Sequence, residues 1–81
     1  MNYKDPTITE INGDSSIRFH LPVKTADEDR LKVDSIAETF NASLVHFYGT
    51  PDQDHKIAHY TVRTEEVDGF AAAVKRELTH N

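Results

Sequence analysis

Residues 43–63 read SLVHFYGTPDQDHKIAHYTVR, and they restrict the fold class more than any other part of the chain. The two ends of this stretch, Ser43–Gly49 and Ile57–Arg63, alternate along the chain in a way that is typical of half-buried β-strands. Pro51 and the polar residues after it favour a turn between them. The stretch therefore predicts a β-hairpin.

A second hairpin is predicted near the start of the chain. Thr7–Ile11 is a short candidate strand, and Ile17–Leu21 alternates with the period of a half-buried strand. Asn12 and Gly13 lie between them, and an Asn-Gly pair is the strongest short-range hairpin signal.

Two amphipathic helices complete the predicted elements. Thr25 and Glu28 have the spacing of a capping box that starts the first helix, and Asn41 is a plausible end. Thr64 is the predicted N-cap of the second helix. Gly69 costs a helix interior about 1 kcal/mol relative to Ala, so we expect close packing at that position.

The predicted order ββαββα indicates an α+β fold in one domain, residues 1–81. A right-handed crossover through the first helix makes the Ser43 and Ile17 strands parallel, and the Ile57 strand can lie between them. The result is a two-layer sandwich: a mostly antiparallel four-stranded sheet with two helices on one face. This split βαβ arrangement has ferredoxin-like character, which implies no function. The side chains predicted to be buried are Phe19, Phe40, Phe47, Tyr60, Val62, Phe70, Val74 and Leu78.

Composition excludes several classes of protein. The chain has 81 residues, no Cys and a net charge of −5. Disulfide frameworks and thiolate metal sites are therefore excluded. The chain contains no apolar run of about 18 residues and no signal-peptide pattern at its start, so we expect a cytoplasmic protein. The acidic balance argues against nucleic acid as a partner, because proteins that bind the phosphate backbone are normally basic.

The sheet face opposite the helices carries the most unusual residues. Strand alternation places six candidate partner-binding residues there: Arg18, His20, His46, Tyr48, His59 and Arg63. His46 is expected directly opposite His59, and His20 can approach His59 from the other side. Four interpretations remain open: a zinc or small-ligand site at the three histidines, an RNA-stacking platform, a pH-responsive surface, or ordinary half-exposed residues. Protonation of all five histidines would change the net charge from −5 to 0.

Two further features are candidate partner contacts. Asp27, Asp29 and Asp34 belong to an acidic cluster that can mimic DNA, although carboxylates near a helix start are also favoured by the helix dipole. Leu31 points away from the apolar stripe of its helix. It is either an isolated surface residue or an anchor at a protein interface.

The sequence contains none of the motifs typical of enzymes: no nucleophile elbow, P-loop or zinc-protease signature. We therefore expect a non-enzymatic protein-binding domain without a cofactor, which acts as a stoichiometric inhibitor or adaptor. Small domains without motifs are often carried by phages and mobile elements to block a host nucleic-acid-handling complex. Pairing of strand edges also predicts a homodimer. The alternative is a metal- or small-ligand-binding domain that uses His20, His46 and His59.

Overall fold

A computed structural model describes residues 3–79 of the chain. It contains four strands and two helices in the predicted order ββαββα. Their bounds are β1 Lys4–Ile11, β2 Asp14–Pro22, α1 Ala26–Phe40, β3 Ser43–Gly49, β4 His55–Arg63 and α2 Thr64–Thr79. Within the described part of the chain, neither helix is long and apolar enough to cross a membrane.

The four strands form one sheet in the order β1-β2-β4-β3, and every neighbouring pair is antiparallel. β4 therefore lies between β2 and β3, which run parallel to each other. This arrangement confirms the predicted α+β sandwich and the insertion of the Ile57 strand between its neighbours. β1, β2 and β4 extend beyond their predicted bounds.

The core lies between the helices and the inner face of the sheet. At its centre, the rings of Phe19, Tyr60 and Phe70 make three edge-to-face contacts, with centroid distances of 5.4–6.0 Å. This geometry lets the positive edge of one ring contact the negative face of the next. The three rings join β2, β4 and α2.

The predicted core is correct in its middle and wrong at its margins. Phe19, Tyr60, Val62, Phe70 and Val74 are buried as predicted. Three predicted core residues, Phe40, Phe47 and Leu78, are only half-buried because they lie at a helix end, on an edge strand and in the last turn of α2. The fully buried Ile17, Leu21 and Val33 were missing from the predicted set.

Local backbone conformations explain the turns and one helix end. Asn12 and Gly13 both have positive φ, 50° and 86°, as a tight β1–β2 hairpin turn requires. Asn41 ends α1 with φ 57°, which confirms its predicted role.

The predicted Thr25–Glu28 capping box is wrong. Thr25 donates its hydroxyl hydrogen to the Asp29 carboxylate at 2.7 Å, so its side chain caps no backbone amide.

The second helix begins without a loop, since Thr64 follows the last residue of β4 directly. Its amide donates to the carbonyl of Gly13 at 2.9 Å, and its hydroxyl lies 2.9 Å from that of the buried Ser15. These bonds fix the start of α2 on the β1–β2 turn. Further along, a Cβ at Gly69 would lie 3.0 Å from the ring of Phe40, which confirms the expected close packing.

Candidate functional site

Both helices pack on one side of the sheet, and we call the other side the open face. Cross-strand register arranges its residues in five rows. The rows are Lys4, His20, Ile57 and Tyr48; Thr7, Arg18, His59 and His46; Thr9, Ser16, Thr61 and Ser43; Ile11, Asp14 and Arg63; and, at the other end of the sheet, Pro22 and His55. All six predicted open-face residues lie in these rows.

The second row contains the centre of the candidate site. His46 pairs with His59 across β3 and β4, as predicted, and Arg18 pairs with His59 from the β2 side. The ring of His46 also lies 4.9 Å from that of Tyr48, with 56° between the ring planes. The row therefore places one guanidinium and two imidazoles side by side, next to a phenol.

Ile57 is the aliphatic residue of the first row, and it lies between His20 and Tyr48. Only 4% of its surface is exposed, although it faces away from the helices. The alternation pattern assigned Ile57 to this face, but it gave no sign that the side chains around it would cover it. A partner on the first two rows therefore meets mainly rings and cations.

Two of the open-face histidines have pKa values below the ordinary histidine value. Burial, with the charges of Arg18 and His46, lowers the pKa of His59. Burial, with Lys4 and His55, lowers the pKa of His20. The Nε2 atom of His59 is also buried without a hydrogen-bond partner, and such atoms are rare in folded proteins.

The predicted three-histidine metal site is not assembled. His20 lies opposite Ile57, and the residue opposite His59 on β2 is Arg18. A guanidinium therefore occupies the place that the third imidazole would need. Within residues 3–79, no group of three or more His, Asp or Glu side chains is arranged to hold a metal ion.

Charge is divided unequally between the two layers of the molecule. The five rows of the open face contain the cations Lys4, Arg18 and Arg63 and one carboxylate, Asp14. The two helices together contain nine carboxylates and four cations. The helices therefore account for the whole net charge of −5, while the open face is positive even with neutral histidines.

Arg63 contributes least to this positive surface. Its guanidinium forms a 2.8 Å ion pair with Glu65 in the first turn of α2, and both side chains are exposed. Such pairs add little stability, but the carboxylate offsets the charge locally. The positive part of the open face is therefore centred on Lys4 and Arg18. Lys4 was absent from the predicted site because it precedes Pro6, where the pattern gave no strand.

The three acidic candidates on α1 have intramolecular partners. Asp27 lies 3.6 Å from the Lys56 ammonium, and Asp29 accepts the hydroxyl hydrogen of Thr25. Asp34 accepts hydrogen bonds from Arg30, at 2.6 Å, and from the phenol of Tyr60. Asp34 is therefore part of the packing of α1 on the sheet, which gives it a structural role that the sequence did not reveal.

The remaining candidate, Leu31, lies away from the open face. It is 59% exposed on α1, as its position outside the apolar stripe predicted. On the nearby β3, strict alternation with His46 and Tyr48 predicts that Leu44 also faces outward, and this prediction is wrong. A register irregularity between Leu44 and His46 places Leu44 opposite the inward-facing Tyr60. The predicted site residues thus form two groups, one on the open face and one on α1.

Comparisons with known proteins add no functional assignment. No protein-family model, curated protein or solved structure matches this chain. The functional argument therefore rests on the geometry and charge of the two layers.

Proposed function

We propose that this chain is a non-enzymatic binding module whose open face holds an acidic surface of another protein. In this role it acts as a stoichiometric inhibitor or adaptor. The observation that carries the proposal is the concentration of Lys4, Arg18 and four histidines, His20, His46, His55 and His59, on one face of a chain with net charge −5. Opposite charge on a partner steers encounter and excludes other partners.

The side chains of the open face suit carboxylates. Arg18 can bind a carboxylate with two parallel hydrogen bonds, which gives direction as well as affinity. His46 and Tyr48 add ring surface, and aromatic residues and Arg are enriched among residues that dominate binding energy.

The test is capture of the partner by a tagged chain from a lysate of the source organism, with and without nuclease. Four forms are compared: the wild type, Arg18→Glu, the triple variant His46→Ala/Tyr48→Ala/His59→Ala, and the control Asp27→Lys/Asp29→Lys. Asp34 stays unchanged in the control because it accepts a hydrogen bond from Tyr60. Circular dichroism establishes that each variant is folded.

The proposal expects a stoichiometric protein band that survives nuclease. The captured protein must be acidic where it contacts the chain. Arg18→Glu and the triple variant must lose the band, and the control must retain it. Retention by a folded triple variant, or loss in the control alone, would overturn the open face as the binding site. Loss of the band on nuclease treatment would instead assign the open face to nucleic acid, whose bases can stack on its rings.

A further inference from the structure

The sheet has two edge strands, β1 and β3, and these differ in chemistry. An edge strand leaves backbone N–H and C=O groups unpaired along its outer side, where they can pair with another chain. Both edges contain a register irregularity, so their difference lies in the side chains.

β1 has the features that protect an edge from pairing. It contains Pro6, which has no N–H group to donate, together with the charged residues Lys4, Asp5 and Glu10. Charges and proline on an edge strand oppose the approach of a second strand.

β3 lacks these features. Its sequence, SLVHFYG, contains no Lys, Arg, Asp, Glu or Pro. Leu44 is 39% exposed and Val45 is 55% exposed. β3 is therefore an uncharged edge with exposed aliphatic side chains.

Leu31 extends this apolar surface onto α1. Along the helix it lies between Asp27 and Asp34, which are four residues before it and three after it. Those carboxylates and the neighbouring Arg30 contact β4 and the ring of Phe47 on β3. Leu31 is therefore on the solvent-facing side of α1, next to the flank that contacts β3 and β4 and opposite Phe40, which contacts α2.

The two carboxylates nearest to Leu31 on this flank, Asp27 and Asp34, are paired with cations, although the chain as a whole is acidic. Lys56 lies 3.6 Å from Asp27, and Arg30 lies 2.6 Å from Asp34. Both cations also lie over the ring of Phe47. Because β3 itself has no Lys, Arg, Asp or Glu, two copies of the chain can approach along this strand with little repulsion between like charges.

We propose that β3 is a self-association edge, which pairs antiparallel with β3 of a second copy while Leu31 packs at the same interface. A two-fold axis suits this arrangement because it brings the same neutral strand from each copy together. The pair forms one eight-stranded sheet, in which the two open faces become continuous. The inference does not depend on what the open face binds.

The interface is small, so the dimer should be reversible. Seven residues of strand span about 24 Å, and the molecule is 17 Å thick in its shortest Cα dimension. The contact area is at the lower end of specific interfaces, which usually bury about 800 Å² per partner. We therefore expect a dissociation constant in the micromolar range or above.

The test is sedimentation equilibrium from low micromolar to millimolar concentration. The wild-type mass should rise from 9.2 kDa towards twice that value. Val45→Lys and Leu31→Lys place a cation on the proposed interface, and both should remain at the monomer mass. Leu31→Lys changes only an exposed helix position, so it tests the interface without altering a strand. Ile8→Lys is the matched control, since Ile8 is 43% exposed on the other edge, and it should dimerise like the wild type.

Amide resonances give a second readout. Dilution of the wild type should shift resonances of Ser43–Gly49 and leave those of Lys4–Ile11 unchanged. A wild type that remains monomeric at millimolar concentration would overturn the proposal. So would dimerisation of both folded interface variants at wild-type strength, or dilution shifts confined to β1.

Discussion

The phenol of Tyr60, in the middle of β4, donates a hydrogen bond to the carboxylate of Asp34 on α1. The same carboxylate accepts a hydrogen bond from Arg30 at 2.6 Å. Tyr60 is fully buried, and its hydroxyl is the polar end of an otherwise apolar core residue. This bond connects the sheet to α1 and supplies the partner that a buried phenol requires.

Removal of the Tyr60 hydroxyl should destabilise the protein. Tyr60→Phe leaves the Asp34 carboxylate without one of its donors, and we expect a loss of about 1–3 kcal/mol in the free energy of unfolding. Urea denaturation at neutral pH measures this change. Tyr48→Phe is the matched control, because Tyr48 is exposed on the open face and its loss should be smaller. Equal stability of Tyr60→Phe and the wild type would contradict the structural role of the bond.

Stability should also fall at alkaline pH. Burial, followed by the hydrogen bond to Asp34, raises the pKa of Tyr60 far above its ordinary value of 10.0. The unfolded chain therefore releases this proton as pH rises through about 10, while the folded chain retains it, so the free energy of unfolding decreases there. Chemical denaturation between pH 9 and 11, a range centred on the ordinary tyrosine pKa of about 10, measures this change. The free energy of unfolding should decrease as pH rises, and the decrease should be less steep in Tyr60→Phe than in the wild type. Burial and Asp5 also raise the pKa of Tyr3, so part of the slope should remain.

Gly69 and Phe40 should be energetically coupled. Ala is favoured over Gly in a helix interior by about 1 kcal/mol, but a Cβ at Gly69 would lie 3.0 Å from the Phe40 ring. We expect Gly69→Ala to give little or none of this gain in the wild-type background. In Phe40→Leu, which removes the ring, the same substitution should recover it. Thermal or urea unfolding of the four proteins in this double-mutant cycle measures the coupling, and strictly additive effects would contradict it.

The open-face histidines should destabilise the fold on mild acidification. The pKa values of His20 and His59 are lowered from 6.5, mainly by burial. Below about pH 6.5, the unfolded chain therefore binds more protons at these positions, and stability falls as pH decreases. Titration by NMR should give both rings midpoints below 6.5. His59→Gln should weaken the fall in stability between pH 7 and 5, a range that contains the ordinary histidine pKa of about 6.5. If the stability of His59→Gln depended on pH as that of the wild type does, the destabilising role of His59 would be contradicted.

The main features of the fold could be predicted because local patterns and topological rules agreed. Asn12 and Gly13 identified the first hairpin, and the alternation in β4 identified its inward-facing residues. Register counting from the second turn correctly placed His46 opposite His59. These predictions depend on short-range geometry, which one sequence contains.

Other features depend on contacts between distant residues. The irregularity beside Val45 reversed the predicted face of Leu44, because one additional residue in a strand shifts the alternation after it. The Tyr60–Asp34 bond joins residues 26 positions apart, and nothing in either local sequence indicates it. The unequal charge of the two layers became visible only once each charged residue had been assigned to a side.

That division of charge gives the molecule an electric dipole across its shortest dimension. The negative pole lies on the helices and the positive pole on the open face. As the protein diffuses towards an anionic surface, the field exerts a torque that turns the open face forward before contact. The fraction of encounters that begin in the productive orientation then rises, and added salt reduces it. In the proposed function, a chain that is repelled by anions at long range is thereby oriented to bind one at short range.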